Sequence, residues 1–274
     1  MIQKNIILTG PPRSGTTLTC NLLNRLPNVV ALHEPMNLKL FPNKSEGLKN
    51  TIEYFENMRR MIDEEGYAIS KVKDGAIPTN PFEEGESNRS SIVKKGKFKI
   101  EKQLSSDYIL VIKHNGHFTF LLNELKNHFP CYSVIRNPVS TIASWNSINV
   151  PVSKGNLTVL KGLNPVLFED LNTIDNLFLR QIALYNEIVK SYLLLNEKNI
   201  IRYEDLITTS GKVLSAITGV ATELQVKLIN KNIVNSYNFD QMELIANQLL
   251  RDQGAWREFY TEQEILDTLK HYNQ

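Results

Sequence analysis

The strongest constraint on the fold lies between Asn5 and Leu26. Asn5 to Thr9 is a short β-branched and apolar run, Gly10 to Gly15 is a Gly/Pro loop, and Thr16 to Leu26 has helical spacing. A strand that enters a glycine loop and leaves as a helix turns the loop amides and the helix N-terminus toward one point, which suits an anion. Val29 to Leu32 reads as the next strand. The unit is therefore strand, loop, helix, strand, the opening of an α/β sheet.

The rest of the chain repeats that alternation. Residues 48 to 65 carry a helical pattern, and Gly66 to Gly96, rich in Gly, Pro, Ser, Asn and charge, reads as a long loop or lid. Tyr108 to Lys113 is a buried-strand run, followed by a helix near Phe118 to Asn127, a strand from Cys131 to Ile135 and a helix opening at Pro138. A long helical stretch spans about Pro165 to Leu195, Asn199 to Tyr203 reads as another strand, and the remainder is helical to the C-terminus. The expectation is a single α/β domain over residues 1–274: three layers, α/β/α, with a central parallel sheet, a P-loop-like phosphate-binding loop and a lid or substrate insertion around 66–96.

Composition narrows the function classes. The chain is 42% hydrophobic and 22% charged, close to the average for globular proteins, and its formal net charge is +2. That balance excludes the broad basic coat of a general nucleic-acid binder and leaves room for one local cationic pocket. No run approaches the roughly 18 apolar residues that span a bilayer, and the start Met1-Ile2-Gln3-Lys4-Asn5 has no signal-peptide layout. The expectation is a soluble, unexported, cytoplasmic protein without a transmembrane segment. Cys20 and Cys131 lack metal-type spacing and read as buried small hydrophobes.

The loop Gly10-Pro11-Pro12-Arg13-Ser14-Gly15-Thr16-Thr17 keeps the glycine spacing of G-x-x-x-x-G-K-[ST], but Thr16 stands where the triphosphatases place their lysine. Arg13 puts the positive charge inside the loop instead, against a bridging oxygen or a transferring group. The run resembles the 5′-phosphosulfate loop of sulfotransferases that use 3′-phosphoadenosine 5′-phosphosulfate (PAPS). Three further segments carry the resemblance. Ser133-Val134-Ile135-Arg136-Asn137-Pro138, with Ser144-Trp145 on the next helix, is similar to the family's 3′-phosphate motif; the alternative for Arg136 is a surface charge at a helix start. Ile201-Arg202-Tyr203-Glu204-Asp205-Leu206 resembles the R-Y-E-D-L signature, with Tyr203 placed to face the adenine and Glu204 and Asp205 starting the next helix. Gly254-Ala255-Trp256-Arg257 looks like the G-x-W-K/R segment, without the Arg-Lys-Gly triplet of the cytosolic enzymes; Arg251 has the wrong spacing to replace it.

The resemblance implies PAPS as co-substrate and no metal. In the implied site Arg13, Ser14, Gly15, Thr16 and Thr17 hold the 5′-phosphate, and Arg136 and Ser144 hold the 3′-phosphate. Lys113, ending an apolar strand, matches the family lysine that reaches the sulfonate, and Glu34 matches the catalytic glutamate of the Golgi-type and tyrosylprotein enzymes. His33 is the reserve base, on the opposite face if strand alternation continues. The competing role for Glu34 is an ion pair with Arg13 or another loop cation. Asn115 occupies the place of the cytosolic enzymes' histidine base, with His114 and His117 out of register. The acceptor stays open among carbohydrate, lipid, peptide tyrosine and small alcohol or phenol, with Gly66 to Gly96 and Val150 to Leu163 framing its pocket and Tyr54, Phe55, Phe118, Phe120 and Trp145 available to line it. A P-loop kinase or ATPase and a catalytically silent nucleotide-binding module are the other readings.

Overall fold

A computed structural model of the chain describes residues 4–85, 87–220, 224, 226–232 and 237–270. In chain order the elements that build the site are β1 (Lys4–Thr9), α1 (Thr16–Leu23), β2 (Val29–His33), α2 (Lys44–Glu65), β3 (Tyr67–Val72), β4 (Lys94–Lys99), β5 (Ile109–Lys113), α3 (Gly116–Phe120) and β6 (Cys131–Ile135). They continue with α4 (Pro138–Asn146), α5 (Pro165–Asn172), α6 (Leu177–Lys190), β7 (Ile200–Arg202), α7 (Tyr203–Thr208), α8 (Phe239–Arg251) and α9 (Glu262–Lys270).

Five strands form one parallel sheet in the order β2-β5-β1-β6-β7. Their side chains alternate between two buried faces. Ile7, Val30, Leu32, Leu110, Ile112 and Ile135 enter one core, while Ile6, Leu8, Val29, Ala31, Val111 and Val134 enter the other, which α1 covers. Burial on both faces is what a parallel sheet between helical layers requires, and it explains the near-continuous apolar runs of β2 and β5. Cys20 and Cys131 are free thiols within these layers. Among the described residues no helix is long and apolar enough to cross a membrane.

β2, which follows the first helix, does not lie beside β1; β5 inserts between them, with Leu8 of β1 level with Lys113 and His33 of β2 level with the same lysine. The chain visits β2 and β5 on one side of β1 and β6 and β7 on the other. Loops at the C-terminal ends therefore diverge around β1, the place where open α/β sheets bind ligands.

The stretch expected as a loop over Gly66 to Gly96 is instead framed by a second sheet. β3 and β4 pair antiparallel from Tyr67↔Lys99 to Val72↔Lys94. Gly66, in the left-handed conformation at φ 70°, ends α2 and turns the chain directly into β3. The lysine content of β4 hides its strand character, because one edge of this ribbon is solvated and polar. The helical stretch expected over Pro165 to Leu195 is two helices: the side chain of Asn176 accepts the Leu179 amide at 3.1 Å and starts α6 afresh. The strand expected to reach Tyr203 stops at Arg202, and Tyr203 opens α7. Of the C-terminal remainder expected as helix, 221–223, 225, 233–236 and 271–274 lie outside the described residues.

Candidate active site

Two glycines shape the loop between β1 and α1. A Cβ on Gly10 would sit 2.2 Å from the Val134 carbonyl oxygen, and one on Gly15, at φ 95°, would sit 2.7 Å from the Tyr203 ring. Only glycine allows this approach of loop to β6 and α7. Ser14 donates its amide to Pro11 O at 3.1 Å, closing the loop turn, and its hydroxyl to Val134 O at 2.6 Å, holding the loop against β6. Trp145, fully buried on α4, donates its indole N–H to Pro12 O at 2.6 Å. The first-turn amides of α1 have no intrahelical acceptor and face the loop mouth. Thr16 donates its hydroxyl to Asn115 Oδ1 at 3.1 Å, and Thr17 is buried beside it.

The β6 side of the loop is cationic. Asn137 accepts the Val139 amide and Pro138 follows it, so α4 starts immediately after the strand and Arg136 stands at the joint. Arg136 is buried: its Nη1 donates to Arg13 O at 3.2 Å, its Nε to Asn232 Oδ1 at 2.6 Å, and its guanidinium lies 4.8 Å from the Tyr203 ring centre. Arg136 is thus no surface charge at a helix start. Burial acts to lower its pKa, but Tyr237, Tyr203 and Glu204 outweigh it and the group stays cationic. Tyr203 is buried against Gly15 and Arg136, its hydroxyl accepting the Lys231 amide at 3.0 Å. Behind Arg136, the Glu204 carboxylate accepts from the Asn137 amide at 3.0 Å, Asn232 Nδ2 at 2.7 Å and the Tyr260 hydroxyl at 2.9 Å.

Arg13 adopts φ 74°, a left-handed conformation outside glycine's usual territory, and this turns its side chain across the loop. Its Nε donates to the buried Ser144 hydroxyl at 3.0 Å and its Nη1 to Asn80 Oδ1 at 3.0 Å, with the guanidinium 4.8 Å from the Phe82 ring centre. Burial, with Arg89 and Arg136 adding to it, lowers its pKa to about 10.

On the β5 side, Lys113 is 1% exposed, and its Nζ lies 2.7 Å from Glu34 Oε1. Lys71 of β3 reaches Glu34 Oε2, also at 2.7 Å. The cation that Glu34 pairs with is therefore lysine, from two different elements, and not Arg13. Glu34 has φ 43°, so the backbone leaves the strand and brings its carboxylate back over Lys113. His33, level with Lys113 in register, places Nδ1 3.4 Å from the same ammonium. The expectation that His33 and Glu34 face opposite ways fails because strand alternation ends at His33. Burial would raise the pKa of Glu34, but Lys113, His33 and Lys71 hold it well below the carboxylate range. Burial and then Lys113 drive His33 down to about 3, so its imidazole is neutral.

Neither out-of-register histidine faces the loop. His114 Nε2 accepts the Met36 amide at 2.9 Å and fixes the turn after Glu34, while His117 stacks edge-on to Phe41. Phe55, Phe118 and Trp145 are fully buried in the core. Trp256 and Arg257 pin the end of α8: the indole donates to Asp252 and the guanidinium to Leu250 O, Asp252 O and Glu262. Arg251 is exposed. Sequence reasoning missed Lys71, Asn80, Phe82, Asn232 and Tyr237. No local motif marks them, since each reaches the site through a tertiary turn.

No family model and no curated protein matches the chain. Its fold is similar to that of three solved structures. A sulfotransferase from Alicyclobacillus acidocaldarius is 13% identical over 92% of this chain and 93% of that one, with a TM-score of 0.45. The sulfotransferase domain from the curacin biosynthetic pathway is 18% identical over 81% and 76%, with a TM-score of 0.40. The sulfotransferase STF9 from Mycobacterium avium is 13% identical over 99% and 76%, with a TM-score of 0.37. Each of these three is a sulfotransferase or a sulfotransferase domain.

Proposed function

We propose that this protein is a sulfotransferase, moving a sulfonate group from PAPS to an acceptor hydroxyl or amine by in-line transfer. The observation that carries the reading is the pairing of Glu34 with Lys113 at 2.7 Å on the β5 side of the phosphate loop, with Arg136 on the β6 side. A donor lying across the loop has its sulfonate toward Lys113 and its 3′-phosphate toward Arg136 and Ser144.

In this reading the amides of residues 15 to 17 and the Thr16 and Thr17 hydroxyls hold the 5′-phosphate. The acceptor oxygen attacks sulfur, its proton passes to Glu34, and the bond from sulfur to the bridging oxygen breaks. Lys113 and Arg13 stabilise the charge that grows on the leaving phosphate. Glu34, flanked by two ammonium groups, is a weak base until an anion arrives. A donor gives Lys113 another partner, and each cation that turns away from the carboxylate raises its basicity. Thr16, standing where triphosphatases have lysine, and the cation rather than carboxylate at the end of β5 speak against a Mg²⁺-dependent kinase.

The test is transfer of radiolabelled sulfonate from PAPS to carbohydrate, tyrosine-peptide, lipid and phenolic acceptors with chelator present. Label transfer by the native protein that collapses in Glu34→Gln supports the reading. Release of the ATP γ-phosphate with Mg²⁺, and no sulfonate transfer to any class, overturns it.

A further inference from the structure

A third arginine, Arg89, stands beside the C-terminal end of α4, supplied by the connection between β3 and β4. Phe82 and Ser91 bridge antiparallel, the Glu83 amide donates to Ser90 O at 3.0 Å, and the Ile92 amide to Pro81 O at 2.9 Å, so this connection is a small hairpin. One arm places Asn80 and Phe82 on Arg13. The other arm docks on the end of α4, where Arg89 forms a bridge with Ile148.

Arg89 spends its donors on weak partners. Its amide donates to Ser147 O at 3.1 Å, its Nε to the same oxygen at 3.4 Å, and its Nη2 to the Ser147 hydroxyl. Ser147 lies next to the Ser144 turn, its hydroxyl donating to Ser144 O at 2.8 Å. Arg13, already on Ser144, is depressed chiefly by burial and then by Arg89 and Arg136, while Tyr237 acts the other way. Tyr237 responds to the same field: burial would raise its phenol, yet Arg136, the Ser144 hydrogen bond and Arg13 bring it down to about 8. None of the three guanidinium groups has a carboxylate within 4.0 Å among the described residues. Like charges gathered around buried hydroxyls with no carboxylate in direct contact are costly, and a multiply charged anion relieves that cost.

We propose that Arg89 is the second cation of the nucleotide 3′-phosphate site, delivered by the β3–β4 hairpin to the anion held by Arg136 and Ser144. The inference rests on the PAPS reading above. A phosphate oxygen is a stronger acceptor for a guanidinium than a serine hydroxyl or carbonyl, so Arg89 exchanges its Ser147 contacts for the phosphate when donor binds. Arg13 makes the matching exchange, leaving Ser144 and Asn80 for the 5′ end.

The experiment compares 3′-phosphoadenosine 5′-phosphate with 5′-ADP by calorimetry on the native chain, Arg89→Gln, Arg89→Lys and Ser147→Ala. The expected result is a preference for the bisphosphate that falls about 10-fold or more in Arg89→Gln, is partly kept in Arg89→Lys, and is intact in Ser147→Ala, with 5′-ADP affinity changed little throughout. Unchanged 5′-ADP affinity also shows that Arg89→Gln has folded. A native preference that survives Arg89→Gln overturns the role of Arg89 and leaves the PAPS reading standing; a native chain with no preference overturns both.

Discussion

Glu34 and Lys113 lie 79 residues apart in sequence and meet at 2.7 Å, across two neighbouring parallel strands whose register puts His33 level with Lys113. The left-handed backbone at Glu34 closes that distance. Replacing Glu34 by Gln removes the proton acceptor and keeps the shape. Single-turnover transfer should fall on the order of 10²-fold or more while bisphosphate affinity changes little. A variant that loses affinity and keeps its transfer rate would assign Glu34 to holding Lys113 alone.

Lys71 tests how the base is tuned. It is 41% exposed and one of two cations on the Glu34 carboxylate, so Lys71→Met takes away a stabiliser of the charged form without emptying the core. The Glu34 pKa then rises toward the ordinary carboxylate value. The acid limb of the rate profile should move to higher pH in Lys71→Met, measured as single-turnover rate against pH; a limb that stays put or moves down contradicts the pairing.

Acid should destabilise the fold well before carboxylates titrate. His33, His114 and His117 all have lowered pKa values, chiefly through burial, to about 3 for His33 and about 4 for His117. Unfolded histidine, near 6.5, binds a proton that the folded chain refuses, so stability rises with pH across this window. Glu34, also depressed, adds a loss of the same sign only below the ordinary carboxylate range. Urea unfolding at pH 7 and pH 5.5 should differ by about 1 kcal/mol per histidine, roughly 3 kcal/mol in all. Equal stability at the two values would contradict the buried neutral imidazoles.

Gly15 is both left-handed and pressed by the Tyr203 ring. Gly15→Ala should cost about 1–3 kcal/mol in urea unfolding and weaken nucleotide binding, and Tyr203→Leu should recover part of the steric loss but none of the φ strain. An additive double variant would show that the ring contact does not matter.

The glycine loop, β1, β2, β5 and β6 were legible in the sequence because their signals are local: a glycine spacing, β-branched runs, a Pro after a strand. Arg136, Ser144 and Lys113 could be nominated for the same reason, each at a strand end or a fixed step along the next helix. What escaped depends on long-range placement. The insertion of β5 between β1 and β2 leaves no mark on either strand, and β4 reads as a polar tract because its lysines face solvent. Glu34 was nominated, but its turn toward His33's side was hidden in one backbone angle. Lys71, Asn80 and Arg89 come from a segment whose composition resembles a loop and whose role is set by what it folds against.

The most direct measurement is the affinity of 3′-phosphoadenosine 5′-phosphate against 5′-ADP and Mg-ATP by calorimetry, in native protein and Arg136→Ala. The account predicts metal-independent binding of the bisphosphate, about 10-fold or more tighter than 5′-ADP, with that margin lost in Arg136→Ala. Binding of Mg-ATP with no preference for a 3′-phosphate would contradict it.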